Sequence, residues 1–281
     1  MLELSSILKN AHTNVMGIIN ITPDSFYPGS RVNEKQLLSR TEKMIREGVE
    51  IVDLGGESTK PGADVVPFEE EVKRVIPAVK TIRAHFDVPI SVDTYKSELA
   101  KIALEEGANI INDISALRMD EHMASVVAHY GCPVILMHMK GTPKTMQQSP
   151  QYDDVINEII DFFRGRIEFA TNKGIRQENI VLDPGIGFGK TLEHNLTILK
   201  RIDEFKSLRF PLLVGASRKS MIGMILDLPA EERLNGTLAI TAYCAMHDID
   251  IVRVHDVKEN VEIIRIIEAI KNVGDKMGKQ V

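Results

Sequence analysis

Short apolar runs rich in valine and isoleucine recur along the chain, each followed by a longer segment with helical spacing. The runs cover residues 15–20, 51–55, 89–93, 109–113, 133–138, 179–183, 211–217 and 250–255. The last helical segment puts Ile263, Ile266, Ile267 and Ile270 at i, i+3, i+4 and i+7, which predicts one apolar stripe facing the core. Nearly continuous apolar strands suit a parallel sheet covered on both faces. Strands alternating with helices in this way predict an α/β fold, a single (β/α)8 TIM barrel over residues 1–281, with an open doubly wound sheet as the competing architecture.

Polar residues close these runs. Asn20, Asp93, Asn112, His138, Asp183, Ser217, Arg253 and His255 lie at or just after a predicted strand end. In a barrel those ends converge on one face, where active sites are built. Helix capping accounts for a single Asp or Asn there. It does not account for Arg253 and His255, whose positive charge opposes the dipole of a following helix.

Composition changes this picture little. With 43% hydrophobic and 26% charged residues the chain can bury a large core. A net charge of −6 with interspersed signs argues against a nucleic-acid partner. Cys132 and Cys244 stand far apart, with no disulfide or metal spacing. No run approaches membrane-spanning length, and the first ten residues lack a signal-peptide apolar region, so a cytoplasmic protein is expected.

The stretch LDPGIGFGKT at 182–191 looks like a phosphate-binding loop, but its spacing fails. A P-loop needs glycine where Pro184 stands, and proline has no N–H to offer a phosphate. Loop 1 (20–31) and loop 2 (55–67) are long for strand-to-helix connections, which favours functional lids. The seventh loop, GASRKS at 215–220, brings Arg218 and Lys219 to a helix start. Asp93, Asn112 and Asp183 offer acceptors for a flat ring with several N–H donors, such as an aminopyrimidinone edge. Lys219 suits its carbonyl and ring nitrogens or its face. Lys60, Arg253 and His255 form a separate cationic group suited to phosphate oxygens.

NxTPDSF, GGEST-x-PG, SVDT, NDIS, DPGIGFGK, GxSRKS and R-x-H, in this order from residue 16 to about residue 257, closely resemble the dihydropteroate synthases of folate biosynthesis. The resemblance implies a barrel enzyme that condenses 6-hydroxymethyl-7,8-dihydropterin pyrophosphate with p-aminobenzoate, giving dihydropteroate and pyrophosphate. By position, Asp93, Asn112, Asp183 and Lys219 would hold the pterin. Asn20, Lys60, Arg253 and His255 would grip the pyrophosphate, with Asn20 also a ligand of Mg2+. Phe26, Thr59, Pro61, Phe188 and Ser220 would surround the p-aminobenzoate, and Phe26 and Pro61 resemble the sulfonamide-sensitive pattern. Asn20, Lys219, Arg253 and His255 would carry catalysis. An SN1-like departure of pyrophosphate, a homodimer through the late helices, and small-molecule partners complete the implied picture.

Two departures stand out. Loop 2 reads STKPG where the family commonly has STRPG, so Lys60 keeps a charge but loses the guanidinium fork. Loop 1 continues SFYPGS in place of SFSDGG. The competing functions are a methyl-transferring pterin barrel, which needs no pyrophosphate group, and a non-catalytic pterin-binding relative. Other features have plainer readings: His138 as a satisfied barrel-top residue, Met137 and Met139 as wall or core, and EEEVKR at 69–74 as a solvated helix start.

Overall fold

A computed structural model describes residues 3–9, 12–21, 31–58, 60 and 62–273. Its strands are β1 (Asn14–Asn20), β2 (Ile51–Gly55), β3 (Ile90–Asp93), β4 (Ile110–Asp113), β5 (Val134–Met137), β6 (Ile180–Asp183), β7 (Leu213–Val214) and β8 (Ile251–Val254). All pair in parallel in the order β6-β5-β4-β3-β2-β1-β8-β7. A lone parallel bridge between Leu182 and Leu212 closes the ring between β6 and β7, with Leu182 N–H donating to Pro211 O at 2.9 Å. The fold is therefore the (β/α)8 barrel, and the open sheet is excluded. The run at 211–217 forms only a two-residue strand, because beyond Val214 the chain turns into the loop that carries Ser217 and Lys219.

Strand periodicity divides the core in two. Met16, Ile51, Ile110, Ile135, Val181, Leu213 and Ile251 point inward and form an apolar floor. The short helix α1 (Leu4–Ile7) plugs it from below through Leu4 and Ile7. Their neighbours Val52, Ile111, Val134, Ile180, Val214 and Val252 face outward into the layer shared with the helices. One or two steps further up the inward faces of β1, β2, β3, β4, β6 and β8 the floor gives way to polar side chains, because residues i, i+2 and i+4 share a face, whereas β5 continues apolar through Met137 and Met139.

The surrounding helices are α2 (Arg31–Glu47), α3 (Phe68–His85), α4 (Ser97–Glu105), α5 (Met123–Tyr130), α6 (Val155–Asn172), α7 (Leu192–Lys200), α8 (Ser220–Leu226), α9 (Leu234–Met246) and α10 (Val257–Lys271). Asp154 caps α6 by accepting from Ile156 N–H and Asn157 N–H. Thr191 and His194 form a reciprocal capping box on α7. On α10 the predicted stripe is corrected: Val257, Val261 and Ile264 are buried, whereas Ile266 and Ile270 are about 60% exposed. The helix is apolar over a wider arc than one core contact uses. EEEVKR is also corrected, since Glu71 is buried against Lys96 and Arg74 donates to Gly56 O at 2.9 Å. No helix among the described residues is long and apolar enough to cross a membrane.

Candidate active site

The strand ends meet as the alternation requires. Asp93 and Asn112 are register partners across β3 and β4, and both are buried. Asp183 closes β6, with its Oδ1 accepting from Gly185 N–H at 2.7 Å. Gly185, Gly187 and Gly189 all have positive φ. A Cβ at Gly185 would lie 2.0 Å from His138 O, and one at Gly189 would lie 2.3 Å from Lys140 O. These glycines fold the loop tightly over β5, a role for which only glycine fits.

Lys190, the residue that suggested a phosphate loop, turns away from any such ligand. It is buried behind the pocket and donates to Phe188 O at 3.0 Å, with His138 Nδ1 at 2.9 Å. Burial pulls both the lysine and the histidine well below their ordinary values. Met137, Met139, Ile114, Met146 and Phe188 make an apolar wall beside this pair.

Lys219, half-buried, projects across the pocket to donate to Ile186 O, and its ammonium lies 4.6 Å from the centre of the Phe188 ring. Burial lowers its pKa to about 8, opposed by the charge of Asp183. The neighbouring Arg218 does not share the pocket. It pairs with Asp256 through Nε and Nη2, both at 2.8 Å, and reaches the carbonyls of Ala230 and Glu231. Ser220 is exposed as the first residue of α8.

Arg253 joins the carboxylates instead of standing apart with Lys60 and His255. Its Nε donates to Asp53 Oδ2 at 2.6 Å and its Nη2 to Asp93 Oδ2 at 2.8 Å. Burial would lower its pKa, but the two carboxylates outweigh that and raise it. Burial also pushes Asp93 up to about 7, opposed by Arg253 and assisted by Asp53. Burial raises Asp183 too, against the pull of Lys219. His255 meets Ser217 Oγ through Nδ1 at 3.0 Å, and burial together with Arg253 lowers it to about 4.

Asn20 ends β1 exposed at the rim; an ideal Cβ at Gly55 would lie 3.9 Å from its Oδ1 and 3.8 Å from Asp93 Cβ. Lys60 is exposed in loop 2, with no ion pair to the Arg253 group among the described residues. Phe26, Thr59 and Pro61 lie outside the described residues. Sequence reading missed Asp53, a polar residue in the middle of IVDLG, although it stands two positions before Gly55 and so shares its inward face.

It also missed the clamp on loop 2. Glu57 accepts from Val66 N–H at 3.0 Å, Tyr95 O–H at 3.0 Å and Lys96 Nζ at 2.7 Å. Lys96 further reaches Val66 O at 2.9 Å and buried Glu71. Both ends of the loop are thereby tied to one ammonium.

Buried carboxylates, an amide and two cations at the mouth of a closed barrel make the acceptor-rich pocket of a barrel enzyme. The family described as pterin binding enzyme matches residues 16–255. The dihydropteroate synthase of Escherichia coli is 49% identical over 263 residues, covering 93% of each chain. The crystal structure of the Yersinia pestis dihydropteroate synthase with a sulfonamide drug complex superposes with a TM-score of 0.91 at 43% identity, covering 97% of this chain and 99% of that one. The Xanthomonas albilineans dihydropteroate synthase with 4-aminobenzoic acid gives 0.86 at 38% identity, over 92% and 93%. The chain belongs to the dihydropteroate synthases, a transferase family of pterin-binding enzymes.

Proposed function

We propose that this chain condenses 6-hydroxymethyl-7,8-dihydropterin pyrophosphate with p-aminobenzoate, and that each half of the reaction has its own part of the pocket. The observation that carries this is the convergence of Asp93, Asn112, Asp183, Lys219 and Arg253 on one buried end of the barrel. Asp93, Asn112 and Asp183 accept the pterin N–H groups, and Lys219 meets its carbonyl edge. Phe188 flanks the ring on the apolar wall, towards the side where the amine enters. Phe26, Thr59, Pro61 and Ser220 enclose the p-aminobenzoate.

The arylamine brings its own lone pair, so the barrier lies in losing pyrophosphate from the pterin methylene. His255, Asn20 and the unengaged edge of Arg253 stabilise that leaving group, with Lys60 closing from loop 2. The methylene cation is SN1-like and vulnerable to water. With its two ends tied through Glu57 and Lys96, loop 2 would cover that carbon and exclude water.

Asn20 fits a role at Mg2+. Among the described residues no group of His, Cys, Asp and Glu could hold a metal alone. A single amide oxygen at the rim therefore suits a cation ligated mainly by pyrophosphate and water. Bound there, the ion would neutralise the leaving charge.

A homodimer in the cytoplasm is our reading of the assembly. Met224, Ile225 and Leu226 on α8, Tyr243 and Met246 on α9, and Ile266 and Ile270 on α10 are exposed, a surface expected to be covered. The reduced, buried Cys132 and Cys244 suit that compartment. Sulfonamides would occupy the amine's place.

The deciding experiment is pyrophosphate release by purified protein given the dihydropterin pyrophosphate, with and without p-aminobenzoate and Mg2+. Release that requires both, with dihydropteroate formed, supports the reading. Tight pterin binding with no condensation product overturns it.

A further inference from the structure

Below the pterin acceptors lies a charge that this reaction scheme does not use. Asp53 sits midway along β2, fully buried, beside Ser91 of β3 in the parallel register. Its Oδ2 accepts from Arg253 Nε at 2.6 Å, while its Oδ1 has no hydrogen-bond partner among the described residues. A buried carboxylate with a single cationic contact depends on that contact. The dependence runs both ways.

A guanidinium is planar, with its donors in a fixed fork, so hydrogen bonds at two corners set its orientation. Here Asp53 Oδ2 lies 2.6 Å from both Nε and Nη2, Nη2 also donates to Asp93 at 2.8 Å, and Arg253 engages Asp93 only through Oδ2. Gly215 lies beside this arrangement. A Cβ there would come within 3.7 Å of Arg253 Cβ and 3.9 Å of Lys219 Nζ, so Arg253 and Lys219 flank the same bare stretch of backbone. Were Asp53 neutral, the preferred geometry of Arg253 with the remaining carboxylate would be bidentate. That grip would occupy both oxygens of Asp93.

We propose that Asp53 is a positioning residue for the condensation: it holds Arg253 from below, so that Asp93 gives up one oxygen and keeps the other for the pterin. Asp53 itself touches no substrate. The inference rests on the assignment of Asp93 to the pterin.

The test is a double-substitution cycle on Asp53 and Arg253, read as affinity for 6-hydroxymethyl-7,8-dihydropterin by fluorescence and as the KM of each substrate. Asp53→Asn keeps the shape and an acceptor oxygen while removing the charge. It is expected to weaken pterin affinity roughly tenfold and to leave the p-aminobenzoate KM within about twofold. In an Arg253→Gln background the same change is expected to cost no further affinity, or to restore some, because there is no guanidinium left to hold. Equal losses in both backgrounds would mean that Asp53 acts independently of Arg253 and would overturn the proposal.

If Asp53→Asn alone does not fold, the double variant compared with Arg253→Gln decides the question: equal or better pterin affinity supports it, and a further loss overturns it. Failure of the synthase reading looks different, since the unsubstituted protein would then form no dihydropteroate.

Discussion

Arg253 and Asp93, separated by 160 residues in sequence, meet at 2.8 Å across the top of the barrel. That contact joins the group expected at the pyrophosphate to the group expected at the pterin. On the proposed assignments, loss of the leaving group and recognition of the ring would be electrostatically linked, and charge changes at one end would reach the other.

The linkage predicts the pH profile. Asp93 is raised to about 7, chiefly by burial, with Arg253, Asp53, Glu71 and Asp113 as its charged neighbours. Lys219 is lowered to about 8, also by burial. If the pterin is held as proposed, by ionised Asp93 and charged Lys219, kcat/KM for the pterin substrate should rise towards pH 7 and fall above pH 8. A carboxyl raised in the fold stabilises it fully below its ordinary value of 3.8, and that contribution is lost as pH rises through about 7. Thermal melts of the free protein should accordingly show lower stability at pH 8 than at pH 6.5, with bound pterin narrowing the gap.

Loop 2 offers a second test. Lys96→Met strands Glu57 and buried Glu71 without their cation. Breaking a buried pair in this way costs about 3 kcal/mol. Denaturant unfolding should show that loss, and steady-state kinetics should show a higher KM for p-aminobenzoate. An unchanged midpoint would mean that the clamp contributes nothing.

Glycines in similar backbone conformations should behave differently. Gly131→Ala meets open space at φ 59°, so only the left-handed strain of about 1 kcal/mol is expected. Gly185→Ala drives a methyl into His138 O and displaces the N–H that holds Asp183. Calorimetry should find a modest stability loss for the first, with pterin binding retained, and pterin binding abolished for the second.

The exposed apolar arc gives a test of assembly. Ile270→Glu lies outside both the barrel core and the pocket. If the proposed homodimer uses this face, the unsubstituted protein should sediment as a dimer and the variant towards monomer with secondary structure intact; a dimer of unchanged affinity would remove this face from the interface.

Much of this architecture is legible in the sequence because parallel strands leave little freedom. A period of two fixes which residues face inward, and an apolar run that ends in Asp, Asn or Arg places that residue at the barrel mouth. Asp53 escaped notice because it interrupts an apolar run where its neighbours Val52 and Leu54 set the pattern. Arg253 reads as a free cation until the carboxylates opposite are in place. Glu71 and Arg74 read as solvent-facing because charge runs usually are; their burial depends on Lys96 and the carbonyl of Gly56, which no local pattern reveals. The α10 stripe fails for a related reason, since isoleucines line more than one face and only the packing chooses among them.

The lone bridge between Leu182 and Leu212 is the narrowest seam of the ring. On one side of it stands the strand that ends in Asp183, and on the other the strand that leads to Lys219. A pterin gripped by both residues would act as a staple across that seam. Amide hydrogens at Leu182 and Leu213–Val214 should exchange faster than those of β2 and β3 in the empty protein, and should slow when the ring binds. The ligand would then help complete the barrel that recognises it.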